Sequence, residues 1–232
     1  MMKAIILAGG EGTRLKPYTV VIPKPLVPVG NRAILEILIG RFKKYNVTDL
    51  TLCVNHLAEL IMAYFADGNK WGVKIRYSIE DKPLSTVAPI KLIKNLSENF
   101  LVMNGDLLTD LDFKKLYNYH LENNALITVA TYKRTSKIDF GVIDIDKDKN
   151  VAVGFKEKPE YKLSVSMGVY VFNKKVLDFV PEGKPFGFDD LMLALLDKGQ
   201  TIKVYPYDGY WLDIGRIEDY ERANKDIEKL NL

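Results

Sequence analysis

The sequence predicts an α/β fold, in which a mostly parallel, mixed central sheet lies between two layers of helices. Over 232 residues, short apolar runs alternate with longer stretches of helical periodicity, an order typical of parallel sheets covered by helices on both faces. A glycine-rich segment, Gly9–Gly12, directly follows the first apolar run. Because crossover connections are right-handed, this segment is expected at the C-terminal edge of the sheet, where such folds bind ligands.

Hydrophobic periodicity supplies the individual elements in chain order. The strands are expected at Lys3–Leu7, Leu50–Val54, Lys74–Ser78, Phe100–Met103, Leu126–Tyr132, Gly141–Asp144, Val151–Phe155, Val165–Phe172 and Ile202–Tyr207. The helices are expected at Ala33–Tyr45, Leu57–Phe65, Phe113–Asn123, Lys174–Phe179 and Asp189–Lys198. The apolar spacing along Ile217–Leu230 predicts a further, amphipathic helix. We expect that helix to pack on its own domain, and a dimer contact is the alternative.

Composition indicates a soluble globular protein without nucleic-acid or membrane partners. Hydrophobic residues are 47% and charged residues 27% of the chain, which is ordinary for a globular domain. The net charge of +3 is mild and the basic residues are scattered, which argues against nucleic-acid binding. No signal peptide or membrane span is visible, so a cytoplasmic location is expected.

The single cysteine and the two histidines predict neither a disulfide nor a zinc site. Cys53 lies in an apolar run, which predicts a buried and inert thiol. His56 and His120 have no cysteine partner at metal-binding spacing. We expect His120 to lie at the surface or half-buried on its helix.

Two segments near the start of the chain are suited to holding a phosphate. In Leu7–Leu15, which reads L-A-G-G-E-G-T-R-L, three glycines leave backbone N–H groups open to an anion and Arg14 adds positive charge. The glycine spacing alone fits an ordinary turn equally well, since it matches neither a dinucleotide fold nor a P-loop. In Pro23–Pro25, the prolines predict a stiff, extended backbone that aims Lys24 at a phosphate. A proline-rich surface loop is the alternative.

Two aspartates follow apolar runs later in the chain. Asp106 comes after a predicted strand and the turn-like Asn104-Gly105, so it is expected at the C-terminal edge of the sheet. Asp213 follows Tyr210–Leu212. The two aspartates are 107 positions apart, so spacing alone does not show that they meet. Asp112 is expected to cap the helix that follows it.

These segments occur together in an order that resembles one known family. The two early segments are followed by Asn104–Asp106, Glu157–Pro159 and Trp211–Gly215, as in the sugar-1-phosphate nucleotidyltransferases. The resemblance covers almost the whole chain and is closest to the mannose-1-phosphate guanylyltransferase-like branch. It implies a Rossmann-like, three-layer αβα sandwich of the GT-A-like type. It also implies one domain, 1–232, with a nucleotide-binding half at about 1–112 and a sugar-phosphate-binding half at about 113–232.

The resemblance implies transfer of a nucleotidyl group from an NTP to a sugar 1-phosphate, with release of pyrophosphate. Attack of one anion on another requires charge neutralisation more than a base, and Mg²⁺ suits carboxylates and phosphate oxygens. In this reading Arg14, Lys24 and Asp106 are catalytic, and Asp106 and Asp213 hold Mg²⁺. The implied nucleotide-binding residues are Leu7, Ala8, Gly9, Gly10, Gly12, Thr13, Glu80, Pro83, Ser85, Thr86 and Gly105. The implied sugar-phosphate-binding residues are Gly141, Glu157, Lys158, Ser166 and Gly168.

Two departures from the family bear on specificity. Where the family has P-L-G-T-[AG]-G, this chain has Ser85 and Ala88 in place of two glycines, and Ser166 replaces a frequent asparagine. For the base, Glu80 is an acceptor-only group that suits the N1–H and N2–H₂ donors of guanine. GTP is therefore favoured, with UTP, dTTP and CTP left open.

Two other function classes remain as alternatives. A non-catalytic homologue that binds an NDP-sugar is favoured only by the altered loop Ser85–Ala88. A GT-A-like glycosyltransferase would carry a D-x-D motif, which Asp110–Asp112 resembles in spacing. A homo-oligomer is left open.

Overall fold

The computed structural model describes residues 2–230. Its strands are β1 (Lys3–Leu7), β2 (Pro28–Val29), β3 (Arg32–Ala33), β4 (Asp49–Val54), β5 (Lys74–Ile79), β6 (Asn99–Asn104), β7 (Leu107–Thr109), β8 (Ile127–Lys137), β9 (Val142–Asp146), β10 (Val151–Lys156), β11 (Glu160–Asn173), β12 (Ile202–Tyr207) and β13 (Trp211–Asp213). Its α-helices are α1 (Ile34–Lys44), α2 (Ala58–Phe65), α3 (Phe113–Glu122), α4 (Phe188–Asp197) and α5 (Ile217–Asp226).

A seven-stranded sheet in the order β12-β8-β11-β6-β1-β4-β5 forms the centre. Strand β1 is parallel to β4 and β6, β4 is parallel to β5, and β12 is parallel to β8. Only β11 runs antiparallel to its neighbours in this sheet. The mostly parallel, mixed sheet predicted from the alternation of elements is confirmed.

Helices cover both faces of this sheet, as predicted. The side chain of Ile6 joins a core cluster with α1, α2 and α3, represented by Phe42, Phe65 and Phe113. The adjacent Ile5 joins the opposite cluster with α4 and two 3-10 segments. Because successive side chains of a strand point to opposite faces, one buried strand serves both layers.

The predicted elements are present, with shifted ends. Strands β8 and β11 continue well beyond the predicted spans and form a long antiparallel ladder. The segment Lys174–Phe179 is a 3-10 helix, and α5 ends at Asp226, before Leu230. The short strands β2, β3, β7 and β13 escape detection because two or three residues carry no measurable periodicity.

Helix α5 packs on its own domain, as expected. Ala223 is fully buried in a cluster with Leu15 and Val27, and Tyr220 packs against it. The backbone N–H of Gly30 donates to Asn224 Oδ1 at 2.9 Å. The amphipathic pattern is therefore accounted for within the chain.

The expectation for His120 was wrong. The side chain is only 1% exposed, because α3 places it against strands β6 and β8 of the sheet. Its Nδ1 lies 2.9 Å from Thr128 Oγ1 and its Nε2 lies 3.0 Å from Asn99 Oδ1. Burial lowers the pKa of His120 to about 4. The expectation for Cys53 is confirmed, since the thiol is buried and burial raises its pKa to about 12. No helix in the described part of the chain is long and apolar enough to cross a membrane.

Candidate active site

A cavity of about 390 Å³ opens at the C-terminal ends of β1, β4 and β6. This is the edge at which the glycine-rich segment was expected. The predicted residues that line it are Leu7, Ala8, Gly9, Gly10, Lys24, Glu80, Pro83, Ser85, Thr86, Gly105 and Asp106. The residues that line it without having been predicted are Glu11, Pro25, Cys53, Asn55, Pro89 and Asn104.

Gly12 shapes the turn next to this cavity without lining it. Its φ is +62°, and a Cβ there would lie 3.0 Å from Thr19 Cγ2 and 3.1 Å from Lys24 Cβ. The position therefore needs glycine for both conformation and space. Thr13 starts the single 3-10 turn that follows and carries Arg14.

Lys24 is buried and forms an ion pair with Asp106, its Nζ donating to Oδ2. The expected extended backbone was wrong, because Lys24 begins a 3-10 turn, Lys24–Leu26. The turn is closed by a 2.8 Å hydrogen bond from Leu26 N to Pro23 O. Proline is tolerated in a first helical turn, where its missing N–H has no partner to lose. The lysine is still rigidly held, but by a turn.

The short ladder between β7 and β13 brings the two aspartates together. The strands pair antiparallel with Leu107 opposite Asp213, and Ile214 N donates to Asp106 O at 3.1 Å. The pKa of Asp213 is raised, first by burial and then by the negative charge of Asp106, while the charges of Lys24 and Arg14 oppose the rise. Two carboxylates and two cations therefore share one electrostatic environment.

The carboxylates fit a divalent cation. Asp106 Oδ1 is buried and has no hydrogen-bond partner, which is costly unless another group satisfies it. Within residues 2–230, no three or more His, Cys, Asp or Glu side chains are grouped so that they could hold a metal ion. Two carboxylates suit Mg²⁺, which usually completes its shell with water and phosphate oxygens, and they fall short of the ligand set of a zinc site.

Glu80 is buried, with 9% of its surface exposed. Its Oε2 accepts from Leu84 N at 2.8 Å, and its backbone carbonyl accepts from Asn55 Nδ2 at 3.1 Å. Burial raises the pKa of Glu80 and the hydrogen bond from Leu84 opposes that rise. Asn55 was missed by the sequence argument, although it follows β4 directly, as Gly105 and Asp106 follow β6.

The altered loop keeps a glycine-like backbone at Ser85. Its φ is +69°, a region in which an L side chain is strained. The hydroxyl of Thr86 accepts from Phe188 N at 2.9 Å, which ties the loop to α4. Ala88 begins a 3-10 segment whose first three residues are buried. The serine therefore adopts a backbone conformation that ordinarily favours glycine.

The predicted sugar-phosphate residues lie outside the 390 Å³ cavity, in two groups. The first group is at the base of the β9–β10 hairpin, where a Cβ on Gly141 would lie 2.6 Å from Phe155 Cε2 and 3.3 Å from Glu157 Oε2. Glu157 and Gly141 are thus neighbours. Lys158 follows with a φ of +43°.

The second group lies on β11 beside the cavity. Gly168 has a φ of +71°, and a Cβ there would lie 2.6 Å from Asn104 Nδ2. Ser166 Oγ donates to Tyr170 Oη at 3.1 Å and accepts from Gly168 N at 3.3 Å. This bend in β11 coincides with a break in its pairing to β8.

The D-x-D-like pair Asp110 and Asp112 serves the fold. Asp110 Oδ1 accepts from Tyr210 N at 2.7 Å and from the hydroxyl of Tyr207. Asp112 caps α3, as predicted, by accepting from Lys114 N at 2.9 Å and Lys115 N at 3.0 Å. These partners explain both aspartates without a glycosyltransferase metal site.

Comparison with known proteins gives consistent matches. The family model described as nucleotidyl transferase matches residues 3–230. The UTP–glucose-1-phosphate uridylyltransferase of Synechocystis is 34% identical over 97% of this chain and 63% of its own length. The mannose-1-phosphate guanyltransferase of Candida albicans is 34% identical over 94% of this chain and 62% of its own length. The chain thus spans less than two thirds of these curated relatives.

A similar fold is present in HddC from Yersinia pseudotuberculosis. Its crystal structure has a TM-score of 0.76 and 29% sequence identity, and the match covers 98% of this chain and 100% of that chain. HddC has also been solved complexed with GMP-PN, with a TM-score of 0.74 to this chain.

Proposed function

The chain belongs to the nucleotidyl transferase family, and on that premise we propose that it transfers the nucleotidyl group of an NTP to a sugar 1-phosphate, giving an NDP-sugar and pyrophosphate. The observation that carries the proposal is the meeting of Lys24, Asp106 and Asp213 beside a glycine-lined cavity. The named activities of the uridylyltransferase and guanyltransferase relatives support the same reaction class.

The triphosphate is assigned to the cationic side chains and the glycine loop. The backbone at Gly9 and Gly10 approaches the nucleotide, with no side chain to keep the phosphates away. Arg14 and Lys24 hold the triphosphate and stabilise the departing pyrophosphate. Lys24 is already positioned by its ion pair with Asp106, so little ordering is needed when the nucleotide binds.

Asp106 and Asp213 are assigned to Mg²⁺, for which the unpartnered Asp106 Oδ1 is the main support. When bound, the ion supplies positive charge to the phosphate oxygens around the reacting phosphorus. Burial and then repulsion from Asp106 raise the pKa of Asp213, and a cation bound by the two carboxylates would relieve the repulsion.

GTP is the proposed donor. Glu80 is buried at the cavity wall as an acceptor-only group, which matches the adjacent N1–H and N2–H₂ donors of guanine. The guanyltransferase relative and the GMP-PN complex of HddC agree with a guanine nucleotide. The uridylyltransferase relative makes UTP the second candidate.

The sugar 1-phosphate is assigned to the second half of the chain. Lys158 supplies a compact cation for the phosphate and Glu157 accepts from sugar hydroxyls. Gly141, Ser166 and Gly168 shape the remaining walls. We therefore propose a nucleotide-binding half at about 1–112 and a sugar-phosphate-binding half at about 113–232. A reaction that uses an NTP and a sugar 1-phosphate as substrates suits the cytoplasm. The proposal includes no nucleic-acid partner.

Pyrophosphate release tests the proposal. The assay crosses GTP, UTP, dTTP, CTP and ATP with hexose and heptose 1-phosphates in the presence of Mg²⁺. We expect release that depends on one sugar phosphate and is fastest with GTP. Arg14→Ala and Lys24→Ala should each lower kcat/KM at least 100-fold, a loss typical of removing one charge-stabilising group. The exposed Lys114→Ala is the matched control and should retain activity.

Two outcomes contradict the proposal. If Arg14→Ala or Lys24→Ala kept wild-type activity, the substituted residue would have no part in the mechanism. Absence of release from every pair, together with tight binding of a finished NDP-sugar, would instead favour a non-catalytic binding protein.

A further inference from the structure

A second, smaller cavity of about 130 Å³ adjoins the 390 Å³ cavity. The two cavities share Leu7, Thr86 and Asn104 among the residues that line them. We call the smaller one the side cavity. It lies directly beside the proposed nucleotide-binding residues.

The side cavity also reaches the proposed sugar-phosphate-binding residues of β11. A Cβ on Gly168 would lie 2.6 Å from Asn104 Nδ2, and Ser166 Oγ donates to Tyr170 Oη at 3.1 Å. Asn104 and Tyr170 both line the side cavity. Burial raises the pKa of Tyr170 to about 12, the hydrogen bond from Ser166 opposes the rise, and the negative charge of Asp213 adds to it. A sugar whose phosphate lies near Asp213 therefore has its ring next to the side cavity.

Most of the wall of the side cavity is apolar. Val87, Val102 and Phe172 belong to one buried core cluster. The ring of Tyr170 stacks on that of Phe188, with 4.1 Å between the ring centroids. None of the described side chains that line the side cavity is charged. An ion placed there would lose its hydration and gain no counter-ion.

Two polar side chains at the junction of the two cavities have unused hydrogen-bonding capacity. Thr86 Oγ1 accepts from Phe188 N at 2.9 Å, and within residues 2–230 its hydroxyl proton has no acceptor. The side-chain amide of Asn104 forms no hydrogen bond with any described residue. A group that fits the side cavity should therefore offer a carbonyl to the hydroxyl, an N–H to the amide oxygen and an apolar end to the remaining wall.

We propose that the sugar 1-phosphate carries an acetamido group and that the side cavity binds this group. The inference rests on the proposed function and names its substrate class. A cavity of roughly 150 Å³ holds one benzene molecule, so the side cavity has room for an acetamido group but not for a second sugar ring. The acetamido N–H donates to Asn104 Oδ1, and its carbonyl accepts from the hydroxyl of Thr86. The methyl group lies against Val102 and Phe172.

Other substituents at the same ring position fit the side cavity less well. A hydroxyl group leaves the apolar wall uncovered. A methyl group leaves Thr86 and Asn104 without partners. A free amine is protonated at neutral pH and is buried there without a counter-ion.

Pyrophosphate release tests the inference with sugars that differ only in this group. The panel pairs N-acetylglucosamine 1-phosphate with glucose 1-phosphate, repeats the pair in the galactose and mannose series, and adds glucosamine 1-phosphate. Each sugar is assayed with Mg²⁺ and the NTP that gives the fastest release. In one series we expect kcat/KM to be at least about tenfold higher for the N-acetylated sugar than for its parent, and higher than for the free amine.

Two variants test whether the side cavity is the source of this ratio. Val102→Ile adds one methylene to the wall and keeps a β-branched side chain, so it should lower the ratio about tenfold. Val171→Ile is the matched control, because Val171 is buried on the opposite face of the sheet, and the ratio should not change. Thr86→Val should also lower the ratio, and Thr86→Ser, which keeps the hydroxyl, should restore it.

Equal kcat/KM within every pair would overturn the inference and leave the proposed reaction intact, as would a preference for the parent sugar or the free amine. A ratio that survives both Val102→Ile and Thr86→Val would also overturn it, and Thr86→Val decides if Val102→Ile fails to fold. Absence of release from every sugar would refute the proposed function. Titration calorimetry of the full chain with the paired sugar phosphates would then decide, because equal Kd values overturn the inference and tighter binding of an N-acetylated sugar supports it.

Discussion

Acidification should destabilise this protein through His120. The imidazole is buried between Thr128 and Asn99, and burial holds its pKa at about 4, against an ordinary value of 6.5 in the unfolded chain. Because the folded pKa is the lower one, the unfolded state binds the proton first as pH falls. The stabilisation is therefore complete above about pH 6.5 and is lost as pH decreases toward 4.

The size of the effect follows from the two pKa values. Between pH 7 and pH 5, the free energy of unfolding should fall by about 2 kcal/mol through His120 alone, and the full difference at lower pH approaches about 3 kcal/mol. Other groups also titrate in this range, so the quantity to measure is a difference between two proteins. His120→Gln keeps a donor and an acceptor but does not titrate.

Urea unfolding at pH 7, 6 and 5 would measure this difference. We expect His120→Gln to be less stable than the wild type at pH 7, and the gap to narrow by about 2 kcal/mol at pH 5. Parallel pH dependences for the two proteins would refute the reasoning. That result would mean that the imidazole does not resist protonation in the folded state.

Three further predictions concern other parts of the chain. Gly68→Ala should lower the free energy of unfolding by about 3 kcal/mol, since φ at Gly68 is +84° and a Cβ there would lie 2.8 Å from a backbone oxygen. Gly183→Ala is the control, because φ is +65° there too but a Cβ would meet open space, so the free energy of unfolding should fall by only about 1 kcal/mol. Equal losses for the two variants in urea unfolding would contradict the steric argument. Asp213→Asn should raise the Tm without Mg²⁺, because it removes a carboxylate charge that desolvation and repulsion from Asp106 both disfavour. It should also abolish the increase in Tm that Mg²⁺ gives the wild type, and an equal increase in both proteins would remove Asp213 from the ion site. Glu80→Gln should raise the KM for GTP about 10- to 100-fold and leave the KM for UTP nearly unchanged; steady-state kinetics that show equal changes would exclude Glu80 as the group that reads the base.

Local sequence patterns predicted the central sheet and the helices that cover it, because the long strands and helices carry clear periodicity. The glycine-rich segment and the Asn104–Asp106 turn were placed correctly at one edge of the sheet, since parallel strands bring their C-terminal ends together. The meeting of Asp106 and Asp213 was expected only from the family resemblance and could not be derived from spacing, because it depends on two three-residue strands far apart in the chain.

Errors arose where tertiary contacts override local preference. We expected His120 to lie at the surface or half-buried on its helix, but partners from two strands satisfy both ring nitrogens and the side chain is buried. The prolines around Lys24 suggested extended backbone, but one hydrogen bond closes a turn there. Asn55 was missed because one polar residue after a strand has no distinguishing neighbour.

The ladder between β7 and β13 sets the order in which the site can form during synthesis. Asp106 leaves the ribosome 107 residues before Asp213, an interval of about 5–20 s at ordinary elongation rates. Throughout that interval β1, β4, β5 and β6 are available to pair, so the nascent chain can build the 390 Å³ cavity early. The second carboxylate arrives only after every strand of the central sheet has been synthesised. A ribosome-bound intermediate can therefore form the cavity wall before the pair of aspartates is complete.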